Sequence, residues 1–129
     1  MKPHFLRPLL QQSGGSFRLI NERTGLTVAT ALEGAFDSAT RKRGLLGRDS
    51  LAPGHALIIA PSNMVHTFFM RFPIDVLIVN RGGTVVKARQ NVPARRIVGA
   101  LRGFAVIEMA ANELERSGTA AGDRLALTD

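Results

Sequence analysis

Apolar residues along this chain gather into short runs broken by glycine, proline and small polar residues, a rhythm that predicts strands far more than helices. FRLI and LTVATAL flank NERTG, a polar turn ending in Gly25, and read as an opening β-hairpin. ALIIA, before the break at Pro61-Ser62-Asn63, reads as a buried strand. VHTFFM and IDVLIVN follow on either side of a turn at Phe72-Pro73, and the β-branched run of the second is the most strand-like in the chain. Arg81-Gly82-Gly83 joins it to TVVKARQNV as a tight hairpin. Beyond a connection over residues 92–103, FAVIEMAA is another apolar strand, and AGDRLALT closes as a turn and a last strand. Helical signals are confined to two places. Asp37 or Ser38 caps a helix expected over Asp37–Leu46, with Gly47 just past its end. Asn112, with Glu115 three positions on, starts a short helix that Gly118 stops. Residues 1–16 read as a flexible leader without an apolar face, and residues 17–129 as one domain. The expected fold is mostly β, a small closed barrel or twisted sandwich of about eight short strands with two short helices at its ends.

A chain of 129 residues fits one domain and can bury a core without disulfides or metals. The absence of cysteine removes disulfides, thiolate nucleophiles and Cys-based zinc or iron–sulfur sites. Any catalysis is left to His, carboxylate, Lys or hydroxyl groups. The opening residues are too polar and too broken by Pro3, His4, Arg7 and Pro8 for a signal sequence, and nothing later approaches a membrane span. A soluble, cytoplasmic monomer is expected. The net charge of +7, from 17 basic side chains against 10 acidic, suits anionic partners. Only Arg41-Lys42-Arg43 and Arg95-Arg96 cluster, however, and no Trp or Tyr offers a stacking platform, so nucleic-acid binding is the lesser reading.

Five polar groups, Arg48, His66, Arg71, Asp75 and Asn80, interrupt the core-like stretch from Arg43 to Asn80, and each is either structurally satisfied or part of a site. If residues 64–70 form a strand, Met64, His66, Phe68 and Met70 share one face. Met and His suit Cu(I), but His4 and His55 lie in leader and turn sequence, so no metal or other cofactor is expected. Asp75 and Glu108 are the acids most deeply embedded in apolar strands and need an Arg, backbone amides or a raised pKa. An Asp75–Arg48 ion pair that pins the helix end to the sheet is the leading structural expectation. Asp123 reads as a turn residue. GLLGR is not a phosphate loop, and Ser38, Ser50 and Ser62 lack the setting of a nucleophile elbow.

RGLLGR, HTFFMRFPIDVLIVNRGGTVV, VIEMAAN and the closing GDRLAL occur in this order in the domain of unknown function 192 family, which the chain resembles over roughly residues 28–127. The resemblance implies a compact, barrel-like, mostly-β domain and carries no established activity or cofactor. Relatives often have Trp where this chain has Phe69 and an Asn-Thr pair at Arg71-Phe72, and many follow an export signal. The functional expectation is non-catalytic binding of a small ligand or short protein segment in an apolar cavity bordered by Arg48, His66, Met70, Asp75 and Glu108. The alternatives are an enzyme using Asp75, Glu108 and His66, and an anion or nucleic-acid binder using Arg41, Lys42, Arg43, Arg95 and Arg96.

Overall fold

The structure is a computed structural model that describes residues 3–11 and 16–129. Its elements run α1 (Arg7–Gln11), β1 (Arg18–Asn21), β2 (Thr27–Ala29), β3 (Ala31–Ala35), α2 (Ser38–Arg43), β4 (His55–Ile59), β5 (Met64–His66), β6 (Ile74–Val79), β7 (Val85–Val92), β8 (Ile97–Gly99), β9 (Ala105–Ala110), α3 (Glu113–Ser117) and β10 (Leu125–Thr128). Strands form a five-stranded sheet in the order β3-β4-β9-β6-β7, a three-stranded sheet β10-β1-β2 and a two-stranded ribbon β5-β8. Only β3 and β4 pair in parallel.

The mostly-β expectation holds, and the closed barrel does not, because β3 and β7 remain the unjoined edges of the large sheet. Among the described residues there are ten strands and three short helices, where about eight and two were expected. LTVATAL splits at Thr30 into β2 and β3, which enter different sheets. No helix of the described residues is long and apolar enough to cross a membrane.

The large sheet is apolar on both faces because its three inner strands, β4, β9 and β6, alternate two sets of core residues. Ala56, Ile58, Leu77, Val79, Ile107 and Met109 point to a core completed by Leu19, Val28 and Leu125 of the small sheet and by Leu114 of α3. Leu57, Ile59, Ile74, Val76, Ile78 and Val106 point to a second core closed by Leu45 beyond α2 and Val98 of the ribbon. Any polar side chain on these strands is thereby delivered into one core or the other.

Three local expectations need correction. Asp37 does cap α2, accepting the Thr40 N–H at 2.8 Å, but the helix ends at Gly44, whose positive φ of 50° turns the chain a residue triplet before Gly47. The strand expected through Met70 stops at His66, since Met70 N–H donates to Thr67 O across a tight turn. The opening segment is not without an apolar contact: Leu6 is fully buried in the first core and Phe5 N–H donates to Arg81 O at 2.8 Å. Pro3 and Pro8 hide that anchor in the sequence by breaking up the apolar run around it. Residues 1–2 and 12–15 of the expected leader lie outside the described residues.

Candidate functional site

Asp75 and Glu108 sit on adjacent strands, yet the register separates them. In the β6–β9 pair Asp75 lies opposite Met109 and Glu108 opposite Val76, so the two carboxyls project from opposite faces of the large sheet. Asp75 enters the first core, where it is fully buried and fully employed: Oδ1 accepts the Asn91 N–H at 2.8 Å and Oδ2 the Leu114 N–H at 2.9 Å. It thus caps α3 from a distance. Asn112, expected to start that helix with its own side chain, has φ of 77° and makes no side-chain cap bond. The expected Asp75–Arg48 pair does not form. Arg48 pairs with Glu33 at the surface on the far side of the sheet, and Arg71 pairs with Asp49 at 2.7 Å.

Glu108 enters the second core with no such provision. Only 2% of its surface is exposed, and Oε1 has no hydrogen-bond partner among the described residues. It faces a cavity of about 280 Å³ between the end of α2 and the ribbon, walled by Leu45, Ile59 and Val65, with Met64, His66 and Met70 along one side. Gly44 lies beside the carboxyl, where a Cβ would make only ordinary contact with Oε1 at 3.6 Å, and its positive φ of 50° at the end of α2 is what favours glycine. Burial pushes the Glu108 pKa up from the ordinary 4.5 to about 7, opposed by the positive field of Arg48. Near neutral pH this group is poised between donating and accepting a hydrogen bond.

Of the five residues expected to border a site, Glu108, His66 and Met70 therefore share one cavity, Arg48 acts on it only through its field, and Asp75 is excluded. His66 is exposed on β5; its Nδ1 accepts the Phe68 N–H at 3.2 Å, which leaves Nε2 as the nitrogen free to act. Met70 is half-buried against the second core. Asn80 is a turn residue, its Oδ1 accepting from Gly82 N–H and Thr84 N–H at 3.0 Å each. Asp123 is buried and accepts from Asn21, Arg23 and Ala120, which holds its carboxyl well below the usual carboxylate range, chiefly through Arg23.

Two contributions were not assigned to the cavity from the sequence. Arg41, Lys42 and Arg43, expected to serve a separate anion-binding surface, line the same cavity as Glu108, and Arg41 is fixed there by donating to Pro61 O at 2.8 Å. Thr67, buried between His66 and Phe68, donates to Pro93 O at 2.6 Å and accepts the Arg96 N–H at 2.9 Å. It fastens the ribbon that forms the cavity wall. A threonine in an apolar run carries no signal of that role, whereas the basic cluster 41–43 was visible in the sequence and only its place at the cavity was not.

The DUF192 family model, described as Uncharacterized ACR, COG1430, matches residues 19–127. Among solved structures, a protein from Sinorhizobium meliloti 1021, provisionally described as a transcription regulator, is 27% identical with a TM-score of 0.73, the match covering 84% of this chain and 89% of that one. A protein of unknown function from Novosphingobium aromaticivorans DSM 12444 is 20% identical with a TM-score of 0.72, over 84% of this chain and 81% of that one, a likeness of fold. No curated protein matches the chain.

Two outcomes are expected. Asp75→Ala removes the acceptor of the buried Leu114 N–H and the partly buried Asn91 N–H and should cost about 2–4 kcal/mol; in a double-mutant cycle with Arg48→Ala, denaturant melts should find the two additive within about 0.5 kcal/mol, because the groups do not touch. Glu108 has a folded-state pKa above its unfolded value, so between 4.5 and about 7 the folded chain keeps a proton that the unfolded chain releases. Its contribution to stability is complete below that window and is lost as pH rises through it, by up to about 1.4 kcal/mol per pH unit. Melts at stepped pH should show this fall, and Glu108→Gln should remove it.

Proposed function

This chain belongs to the DUF192 family, and we propose that it is a non-catalytic binding domain whose ligand is a small anion with an apolar body, seated in the Glu108 cavity. The observation that carries this reading is the buried, unpartnered Glu108 Oε1 facing open space. An unpaired carboxyl inside a core is destabilising by several kcal/mol, and a group kept at such a cost in a cavity is a functional candidate. The lining supports the ligand's chemistry. Leu45, Ile59 and Met70 suit an apolar body, with the Met70 thioether adapting to its outline. Arg41, Lys42 and Arg43 suit an anionic group, and Glu108 suits a hydroxyl, amide or carbonyl at the buried end. At about 30 Å³ per water, the 280 Å³ cavity holds the volume of roughly nine waters, which favours a small metabolite over a protein segment.

This arrangement joins two alternatives that the sequence kept apart, an apolar cavity and a basic cluster. The enzyme reading loses support, because its paired carboxylates lie on opposite faces of the sheet and general acid–base work requires groups within reach of one substrate. The test is a thermal-shift screen of small carboxylates and phosphates with apolar bodies. Glu108→Leu, which replaces the unpaired carboxyl by a side chain the core accepts, should be more stable than the parent by about 1–3 kcal/mol near pH 8 and should lose the ligand shift. A clear loss of stability in Glu108→Leu, or an undiminished ligand response, would contradict the proposal.

A further inference from the structure

The ribbon that walls the cavity has a second, outward face. Register pairs His66 with Ile97, Val65 with Val98 and Met64 with Gly99, so Val65 and Val98 point inward to the second core while Met64, His66 and Ile97 point to solvent. Met64 is 60% exposed and Ile97 64%. At one end of the ribbon stand Phe68 and Phe69, the latter 85% exposed, and at the other Leu101, 99% exposed. Five of the seven large exposed apolar side chains among the described residues therefore belong to this one strip, which at about 3.3 Å per residue spans roughly 15–20 Å. Met64 also borders the rim of the Glu108 cavity, whereas Phe68, Phe69, Ile97 and Leu101 lie outside it.

Charge follows the same strip. Segments 62–73 and 93–104 contain no Asp or Glu. Arg95 and Arg96 sit beside the Phe68–Phe69 turn, held there by hydrogen bonds to Thr67, and Arg102 adjoins Leu101. All three arginines are exposed and none enters a salt bridge among the described residues. Phe69 adds a conformational sign. It is the third residue of the Thr67–Met70 turn and has φ of 67°, a position that glycine or asparagine takes without strain and a bulky side chain does not. The fold accepts strain there to hold a phenyl ring in water, where it stabilises nothing in the core.

We infer that the outer face of the β5–β8 ribbon docks on an anionic lipid bilayer, with Phe68, Phe69, Ile97, Met64 and Leu101 entering the interface and Arg95, Arg96 and Arg102 meeting lipid headgroup phosphates. An exposed apolar strip flanked by unpaired arginines is what such an interface receives, and a fluid bilayer requires no complementary groove. A second copy of the chain is disfavoured by the same charges, because a two-fold contact would bring arginine against arginine.

Cosedimentation of the full chain with vesicles tests this. Binding is expected to vesicles containing phosphatidylglycerol, to fall with added salt, and to be absent with phosphatidylcholine alone. Phe69→Gly should melt at or above the parent temperature, since it relieves the turn, while binding about tenfold more weakly. Arg95→Gln with Arg96→Gln should lower binding on the order of tenfold. Glu108→Leu should bind vesicles as the parent does, which separates this surface from the cavity. Absence of vesicle binding at low salt overturns the inference, as does a Phe69→Gly protein that is folded and binds normally. Sedimentation equilibrium showing a dimer that Phe69→Gly dissolves would assign the strip to self-association instead, and so overturn it as well.

Discussion

The structure depends on burying both faces of the five-stranded sheet at once. With β4, β9 and β6 covered on either side, strand alternation leaves no solvent face on which a polar side chain can be tolerated. The two acids that break the apolar runs of β6 and β9 must each be resolved inside a core, and the β6–β9 register sends them to different ones. The division of the molecule into a structural half and a candidate binding half follows from that single register.

The contrast between the two carboxyls is instructive because their chemistry and their burial are nearly the same. Asp75 is met by two backbone N–H groups, one from β7 and one from the first turn of α3, and becomes a joint between sheet and helix. Glu108 is met by a cavity and by the field of an arginine already engaged by Glu33. The first residue explains itself within the fold, and the second does not. The same sheet supplies backbone amides to Asp75 and none to Glu108 Oε1, and it is this difference that makes Glu108 the candidate binding group.

Much of this was legible in the sequence. IDVLIVN and FAVIEMAA announced the inner strands through their β-branched and apolar runs, the Gly25 and Gly83 turns announced their hairpins, and Asp37 announced its helix. What could not be read was register between strands. Each strand's own alternation is visible in the sequence, but whether Asp75 and Glu108 share a face depends on pairing across more than thirty intervening residues. The same blindness made Arg48 look like the partner of Asp75, since proximity in sequence stood in for position on the sheet. Helix α2 ended early because Gly44 and Gly47 both satisfy the stop signal, and the nearer one is used. The VHTFFM alternation broke at Thr67, whose hydroxyl bonds favour a turn over continued strand.

The proposed site rests on Glu108, a buried carboxyl whose Oε1 has no hydrogen-bond partner among the described residues. The direct measurement is an NMR titration of the carboxyl carbons, with the Glu108 resonance assigned through Glu108→Gln. A midpoint near 7 is expected, far from the ordinary 4.5. A midpoint at the ordinary value would mean that the carboxyl is solvated or paired after all, and the cavity would lose its claim to be a site.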